Sequence, residues 1–282
     1  MPDQLKGRRS ARVTMMREKD TSLLSVERVS KTFHAGTVDE RVALTDVSLK
    51  LLPGDFAVVV GGNGAGKSTF LNMLAGEVIS DTGVISIDGR VITTLPTHRR
   101  AKYISRVFQD PSIGTAAALS LEENLAVANQ RGLARGFGRG LTHAQAEAFR
   151  ERIASFGLGL EKRMKAQASL LSGGQRQALS LLMAVLQRPM LLLLDEHTAA
   201  LDPRTAEIVM RVTEQVVREA QLTTLMVTHN MHHAIDYGNR LIMMRDGRIV
   251  GDLTGEAKRA MTMERLMATF NDEPPMAQTV NA

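Results

Sequence analysis

The sequence predicts an α/β fold built on a mainly parallel β-sheet with helices on both faces. Short apolar runs of the buried type alternate with helical patterns along the chain, which is typical of parallel sheets. Between residues 119 and 160 the alternation stops and only helical patterns remain, which predicts a helical insertion. With 282 residues, 44% of them hydrophobic, the chain is long enough to bury a full core.

The predicted strands are short apolar runs bounded by polar or turn-forming residues. They cover residues 23–29, 47–52, 56–60, 104–108, 191–194, 225–228 and 241–244. The predicted helices have apolar residues at helical spacing and cover 70–74, 121–130, 144–156, 175–186 and 203–220. Pro203 suits the first turn of the last helix, because the N–H that proline lacks would have no partner there.

Both ends of the chain differ in composition from the segment between them. Residues 1–21 lack hydrophobic periodicity, and six basic and three acidic side chains lie in the first twenty positions, so we predict a disordered basic arm. Residues 271–282 are predicted to form a flexible tail. Residues 22–270 are expected to form one domain that contains the helical insertion at about 110–170.

The composition excludes several classes of protein. The chain contains no cysteine, so it has no disulfide, thiolate metal site or cysteine nucleophile. No apolar run approaches the roughly 18 residues that span a bilayer, and charges interrupt the stretch where a secretory signal would be apolar. The net charge is +5, and the basic arm contributes +3 of it. This balance would fit contact with nucleic acid or anionic lipid, but a solvated terminal arm is the favoured explanation, and no nucleic-acid partner is expected. The charge run Arg99, Arg100 and Lys102 is predicted to form a solvated face.

A phosphate-binding loop follows the predicted strand 56–60. Residues 61–69 read Gly-Gly-Asn-Gly-Ala-Gly-Lys-Ser-Thr and fit the pattern G-x-x-x-x-G-K-[ST]. The glycines allow consecutive N–H groups to surround a phosphate, and the following helix adds its positive end. Lys67 is expected to reach the terminal phosphates and Ser68 to ligate Mg²⁺. A glycine-rich turn without a ligand is the alternative, and the order strand, loop, helix argues against it.

Two carboxylates end the predicted strand 191–194. Asp195 and Glu196 follow four leucines, and charges at an apolar strand end are costly unless something binds them. In an enzyme with a phosphate loop, Asp195 would hold Mg²⁺ and Glu196 would orient and polarise the attacking water. Lys67 and Asp195 alone would also suit a kinase.

Residues 171–177, Leu-Ser-Gly-Gly-Gln-Arg-Gln, resemble the signature of ATP-binding cassette (ABC) ATPases. Other landmarks stand in the order of that family: Gln109 resembles the Q-loop, residues 200–202 the D-loop and His229 the switch histidine. Alone, Gln109 would be an ordinary loop amide and His229 a capping histidine. The resemblance covers about residues 23–252, and the signature argues against a kinase.

The resemblance implies a fold and a set of site residues. The fold is a P-loop ATPase core with a mainly parallel sheet, an antiparallel N-terminal β subdomain and a helical insertion subdomain. Phe33 resembles the aromatic residue that stacks on adenine, with core packing as the competing explanation. The implied catalytic residues are Glu196, His229 and Gln109, and the implied Mg²⁺ ligands are Ser68, Gln109 and Asp195. ATP contacts are implied at Phe33, Gly61, Asn63, Gly64, Ala65, Gly66, Lys67, Ser68, Thr69, Ser172, Gly173, Gly174, Gln175 and Asp202.

The resemblance also implies partners. In this family two cassettes associate head to tail with two ATP molecules between them, each bound by the phosphate loop of one chain and the signature of the other. Ser172, Gly173 and Gly174 suit this arrangement because they supply a second set of N–H groups at a helix start. A chain with one complete cassette and no membrane span resembles the separate ATP-binding subunits of prokaryotic transporters, typically importers. Expected partners are therefore a second copy, an integral membrane permease and, indirectly, an extracytoplasmic substrate-binding protein, with the chain peripheral at the cytoplasmic face of the inner membrane.

The sequence indicates less clearly what the transporter carries and in which direction. Residues 195–203 and 236–240 resemble uptake ATPases, some of them associated with amino acids, aromatic ones included. Lipoprotein extraction or export is one alternative. A soluble ABC ATPase that acts on nucleic acid or ribosomes is another, although the long coiled coil, zinc cysteines or second cassette typical of that class are not found in the sequence.

Histidines mark one departure from the family pattern and one alternative site. Position 197 is His where most members have Pro after the catalytic Glu, and both a chemical role and a mere subgroup marker are open. His229, His232, His233 and Asp236 have spacings that could form a metal face on one helix. The switch role already accounts for His229, which disfavours the metal.

Overall fold

The computed structural model describes residues 21–132 and 141–271. The predicted basic arm and flexible tail lie outside these residues, apart from positions 21 and 271. The strands within the described residues are β1 (Leu24–Phe33), β2 (Arg41–Leu51), β3 (Phe56–Gly61), β4 (Thr82–Ile87), β5 (Arg90–Val91), β6 (Ile104–Val107), β7 (Leu191–Asp195), β8 (Thr223–Val227), β9 (Arg240–Arg245) and β10 (Arg248–Thr254).

The helices are α1 (Lys67–Ala75), α2 (Thr97–Arg100), α3 (Pro111–Gly114), α4 (Leu121–Asn129), α5 (His143–Ala154), α6 (Gly173–Val185), α7 (Pro203–Ala220), α8 (Met231–Asp236), α9 (Gly255–Arg259) and α10 (Met263–Asn271). Two 3₁₀ turns, Leu160–Lys162 and Ala168–Leu170, precede α6. None of the helices in the described part of the chain is both long and apolar enough to cross a membrane.

The larger sheet has six strands in the order β10-β9-β3-β8-β7-β6. Neighbouring strands run parallel except for the antiparallel edge strand β10. The predicted mainly parallel α/β fold is therefore confirmed. Because the carboxyl ends of parallel strands meet at one edge, the loops that follow β3, β6, β7 and β8 are brought together there.

Alternate residues of the parallel sheet enter two hydrophobic cores, as the period-two geometry of a strand requires. Val58 of β3 and Leu192 of β7 pack with α6, α7 and the insertion. Their neighbours Val59 and Leu193 pack with α1 and the smaller sheet. Both faces of the sheet are thus covered, which explains why its strands are continuously apolar.

The smaller sheet is antiparallel, in the order β2-β1-β4-β5. It confirms the antiparallel β subdomain that the resemblance implied. The sequence analysis did not predict strands β4, β5 and β10. Two-residue turns, Asp88-Gly89 and Asp246-Gly247, join β4 to β5 and β9 to β10, and all four turn residues have positive φ between 48° and 71°. That conformation is the type I′ hairpin turn that Asp-Gly pairs favour.

The insertion contains α3, α4 and α5, and the latter two match their predicted ranges to within two residues at each end. Helix α4 begins with a capping box in which Ser120 and Glu123 satisfy each other's backbone N–H groups. A single β-bridge, Ser120 with Gln167, ties the start of α4 to the chain that leads into α6. The boundaries 110–170 stay a prediction.

Arg100 contradicts the predicted solvated face. It is 1% exposed, whereas Arg99 and Lys102 are exposed. Burial lowers the pKa of its guanidinium. The group donates hydrogen bonds of 2.7–2.9 Å to the carbonyl oxygens of Met73, Leu74, Thr93 and Leu95. A buried charge is tolerated here because backbone acceptors surround it, two of them at the end of α1.

Candidate active site

The phosphate loop connects β3 to α1 as predicted. Gly62, Asn63 and Gly64 are exposed and so is Ser68, whereas Lys67 is 7% exposed. The Lys67 ammonium donates to the carbonyl oxygens of Gly61 at 2.7 Å and Gly62 at 3.0 Å. The loop is therefore closed around its own lysine, with its N–H-bearing residues open to solvent.

Gly66 is required by the geometry of the loop. Its φ is +95°, and a Cβ atom added there would lie 2.7 Å from the Ala43 carbonyl oxygen. Only glycine adopts this backbone conformation without strain. Strand β2 thus packs directly against the loop, which fixes the loop relative to the antiparallel sheet.

Glu196 and His229 form a pair at the carboxyl edge of the sheet. Glu196 follows β7 and His229 follows β8, and His229 Nδ1 lies 3.0 Å from Glu196 Oε2. The Glu196 N–H donates to the Val227 carbonyl oxygen at 2.9 Å. The two predicted catalytic residues, 33 positions apart in sequence, are brought together by the parallel pairing of β7 with β8.

The phosphate loop and Glu196 leave the same edge of the sheet. Val59 of β3, two residues before the loop, pairs with Val227 of β8, and Val227 pairs with Asp195 of β7, the residue before Glu196. Burial lowers the pKa of Lys67, and the charge of Glu196 partly opposes this effect. The phosphate loop and the predicted catalytic carboxylate therefore lie at one site.

Arg106 is a site residue that sequence reasoning missed. Its guanidinium donates to Asp195 Oδ2 at 2.6 Å and to Glu77 Oε1 at 2.8 Å, and it lies 4.8 Å from the centre of the Phe108 ring. The signal was an arginine inside strand β6, which reads Ile-Ser-Arg-Val, three residues before Gln109. Asp195, the predicted Mg²⁺ ligand, is thus held by a cation of the protein itself.

Gln109 is exposed and lines an open groove together with Arg106 and Asp195. The groove also contains Ile113 of α3, which is 66% exposed. Carboxylate, amide and hydroxyl oxygens are the protein ligands that Mg²⁺ prefers. The donor set of Asp195, Gln109 and the exposed Ser68 fits such an ion, and their role as its ligands stays a prediction.

The signature residues begin helix α6. Ser172 caps the helix by accepting from the Gln175 N–H at 3.4 Å, and Gln175 Oε1 accepts from the Ser172 N–H at 3.2 Å. Ser172 and Gly173 are exposed, whereas Gly174 is buried, and a Cβ atom there would overlap the Thr205 side chain of α7. Within the described part of the chain, no hydrogen bond links Ser172 to the phosphate loop. The start of α6 at Ser172 and Gly173 thus faces solvent.

Asp202 and Phe33 have defined local surroundings. Asp202 caps α7 by accepting from the Thr205 N–H at 3.1 Å. Hydrogen bonding from the Thr205 side chain, and then from its N–H, lowers the pKa of the Asp202 carboxyl. Phe33 ends β1, is half-buried and lies outside both cores, with the Lys31 ammonium 5.6 Å from its ring centre. Core packing therefore does not explain Phe33. The nucleotide contacts of both residues stay predictions.

The histidines that follow β7 and β8 lie on different elements of the structure. His197 is 2% exposed, and its Nε2 lies 3.1 Å from Thr213 Oγ1. His229 precedes α8, whereas His232 and His233 lie on it. In the described ranges no cluster of three or more acidic or histidine side chains is arranged to hold a metal.

A family model described as ABC transporter matches residues 44–199 of the chain. A tyrosine transport ATP-binding protein of Clostridioides difficile (strain R20291) is 40% identical over 248 residues, covering 88% of this chain and 98% of that protein. A phosphonates import ATP-binding protein, PhnC 1, of Haloquadratum walsbyi is 34% identical and covers 81% of this chain and 72% of its own length.

Solved structures agree with these sequence matches. A dimer of the ATP-binding cassette MJ0796 in a post-hydrolysis state with ADP and phosphate superposes with a TM-score of 0.69. It is 27% identical, and the match covers 82% of this chain and 98% of that chain.

Proposed function

The chain belongs to the ABC transporter family, and we propose that it is the ATP-hydrolysing subunit of an importer for a small solute of the amino acid class. One observation carries the proposal: the phosphate loop and the Glu196–His229 pair share the carboxyl edge of the sheet. A phosphate cradle beside a general base is the arrangement that nucleotide hydrolysis requires.

Each group of this site has a distinct task. The N–H groups of residues 62–66 and the start of α1 bind phosphate oxygens, and Lys67 exchanges its bonds to Gly61 and Gly62 for bonds to the terminal phosphates. Glu196 accepts a proton from the attacking water, and His229, already bonded to Glu196, fixes the carboxylate. When bound at Ser68, Gln109 and Asp195, Mg²⁺ supplies charge neutralisation at the phosphates.

Two copies of the chain complete one another's sites. Gly173, exposed at the start of α6, offers its N–H group there, and within the described residues no hydrogen bond joins Ser172 or Gly173 to the phosphate loop. A head-to-tail dimer places this anion-binding helix start against the phosphates held by the partner. The dimeric MJ0796 cassette bound to ADP and phosphate supports this arrangement.

A membrane permease is the second partner. The groove beside Gln109 opens between the parallel sheet and the insertion, and its exposed Ile113 offers an apolar contact next to Arg106 and Asp195. A cytoplasmic helix of the permease docked there would sense the state of the site directly. The chain is then peripheral at the cytoplasmic face of the membrane, and an extracytoplasmic binding protein delivers the solute.

The tyrosine transport relative supports an aromatic amino acid as the solute, since the match covers 98% of that protein. The test is uptake of radiolabelled tyrosine into proteoliposomes that hold the chain, the permease encoded beside it and its binding protein. ATP-dependent uptake that is lost in Glu196→Gln is the expected result. Uptake of a phosphonate or of spermidine in parallel vesicles, instead of tyrosine, would identify another class of importer. ATP turnover with no uptake of any of these solutes would contradict the proposed import function.

A further inference from the structure

We propose that His197 is a positioning residue for ATP hydrolysis, which anchors the turn that carries Glu196 to helix α7 through the hydroxyl of Thr213. The inference rests on the proposed ATPase function and assigns a role to the histidine that replaces the proline of most family members. It follows from the direction of two hydrogen bonds, from burial and from the backbone conformation of Glu196.

The direction of the bond between His197 and Thr213 is fixed by a second bond. Thr213 Oγ1 donates its one hydrogen to the Val209 carbonyl oxygen at 2.8 Å. A hydroxyl has a single hydrogen to donate, so at 3.1 Å from Nε2 the Thr213 oxygen accepts. His197 therefore carries its proton on Nε2 and donates it to Thr213.

Both partners lie in the interior. Thr213 is fully buried and His197 is 2% exposed. The hydrogen bond between them is therefore shielded from water, and it makes the His197 ring a rigid link between the turn after β7 and helix α7.

The link matters because Glu196 is strained. Its φ is +43°, a left-handed conformation that is unfavourable for a residue with a side chain. Its own backbone is held by one bond from its N–H to Val227 and one to its carbonyl from Ala199. His197 is the next residue, so its bond to α7 restrains the direction in which the Glu196 carboxylate points.

Simple packing is the competing role for His197, and the two roles differ in what they require. Packing needs a side chain of similar volume, whereas anchoring needs an N–H at the Nε2 position and an oxygen at Thr213. Glutamine places an amide N–H at the Nε2 position, and asparagine places it one bond short. Serine keeps the hydroxyl at position 213, and valine keeps the shape of threonine without it.

The experiment measures kcat for ATP and the nucleotide dissociation constant for five full-length variants. Thr213→Val and His197→Asn should lower kcat about tenfold to a hundredfold, because small misplacement of a catalytic group has that effect. Their nucleotide affinity should stay within about twofold, a split that marks loss of transition-state interactions. Thr213→Ser and His197→Gln should retain most of the activity. Thr224→Val is the matched control, since Thr224 is a fully buried hydroxyl at the far end of β8.

Two results would overturn the inference. One is equal kcat for Thr213→Val and Thr213→Ser, a comparison that stands even where a His197 variant does not fold. The other is a kcat loss in Thr224→Val as large as that in Thr213→Val. Absence of ATP turnover in the unmodified chain would instead refute the proposed function, so the two failures are distinguishable.

Discussion

Replacing Arg106 by methionine tests whether this guanidinium limits the binding of Mg²⁺ at Asp195. The side chains of Arg106 and Asp195 are only 11% and 16% exposed and are joined at 2.6 Å. Mg²⁺ and the guanidinium therefore compete for one carboxylate. Methionine keeps an apolar stem against Phe108 while the charge is removed.

The magnitude follows from the bond that Mg²⁺ has to displace. A hydrogen bond to a charged group contributes about 1.5–3 kcal/mol, and about 1.4 kcal/mol corresponds to a tenfold change in affinity. The gain in ATP affinity on adding Mg²⁺ should thus increase by about tenfold to a hundredfold in Arg106→Met. Calorimetry in a Glu196→Gln background, where hydrolysis is blocked, gives this gain as the ratio of dissociation constants in EDTA and in excess Mg²⁺.

The control is Arg90→Met, which removes a guanidinium that lies 5.8 Å from the Tyr103 ring centre, on a strand of the antiparallel sheet. It changes the net charge equally and should leave the ratio unaltered. A ratio that is unchanged or smaller in Arg106→Met would refute the competition between Arg106 and Mg²⁺.

Three further predictions concern other parts of the chain. Arg100→Met should lower the free energy of unfolding by about 3–5 kcal/mol, because buried carbonyls lose a charged donor. The control Arg99→Met should change it by less than about 0.5 kcal/mol. Equal urea midpoints for the two variants would contradict this prediction. Phe33→Ala should weaken ATP binding about threefold to tenfold, and Phe33→Tyr should not. Unchanged ATP affinity of Phe33→Ala would exclude stacking of Phe33 on adenine. Asp202→Ala should lose the cap on α7 and unfold more easily than the unmodified chain. Because the folded-state pKa of Asp202 is lowered, this difference in the free energy of unfolding is full at neutral pH and shrinks as pH falls below about 4. A difference that persists in unfolding experiments at pH 2 would contradict this cap.

Local sequence patterns predicted the elements that are long or that carry several independent signals. Helix α7 spans the predicted residues 203–220 because Asp202, Pro203 and the apolar face all indicate it. The hairpins were missed because β4, β5 and β10 are short or half-exposed, and an apolar-run criterion does not detect such strands. Their Asp-Gly turns were the available signal.

The site was predictable where one segment contains the chemistry and not where distant segments meet. The phosphate loop is contiguous, so residues 61–69 and their strand-loop-helix setting followed from the sequence. The bonds of Arg100 to α1 and of Arg106 to Asp195 join segments that are far apart in sequence, and a charge run carries no information on them. The family order supplied Glu196 and His229 separately, and only the pairing of β7 with β8 shows that they touch.

The head-to-tail dimer is tested most directly by disulfide formation, for which the absence of cysteine from the chain leaves a clean background. Asn63→Cys and Ser172→Cys are introduced into separate copies of Glu196→Gln and mixed. A cross-linked dimer that forms only in the mixture and only with ATP and Mg²⁺ is the predicted result. A mixture that stays monomeric with nucleotide, or that cross-links equally without it, would contradict the shared ATP site.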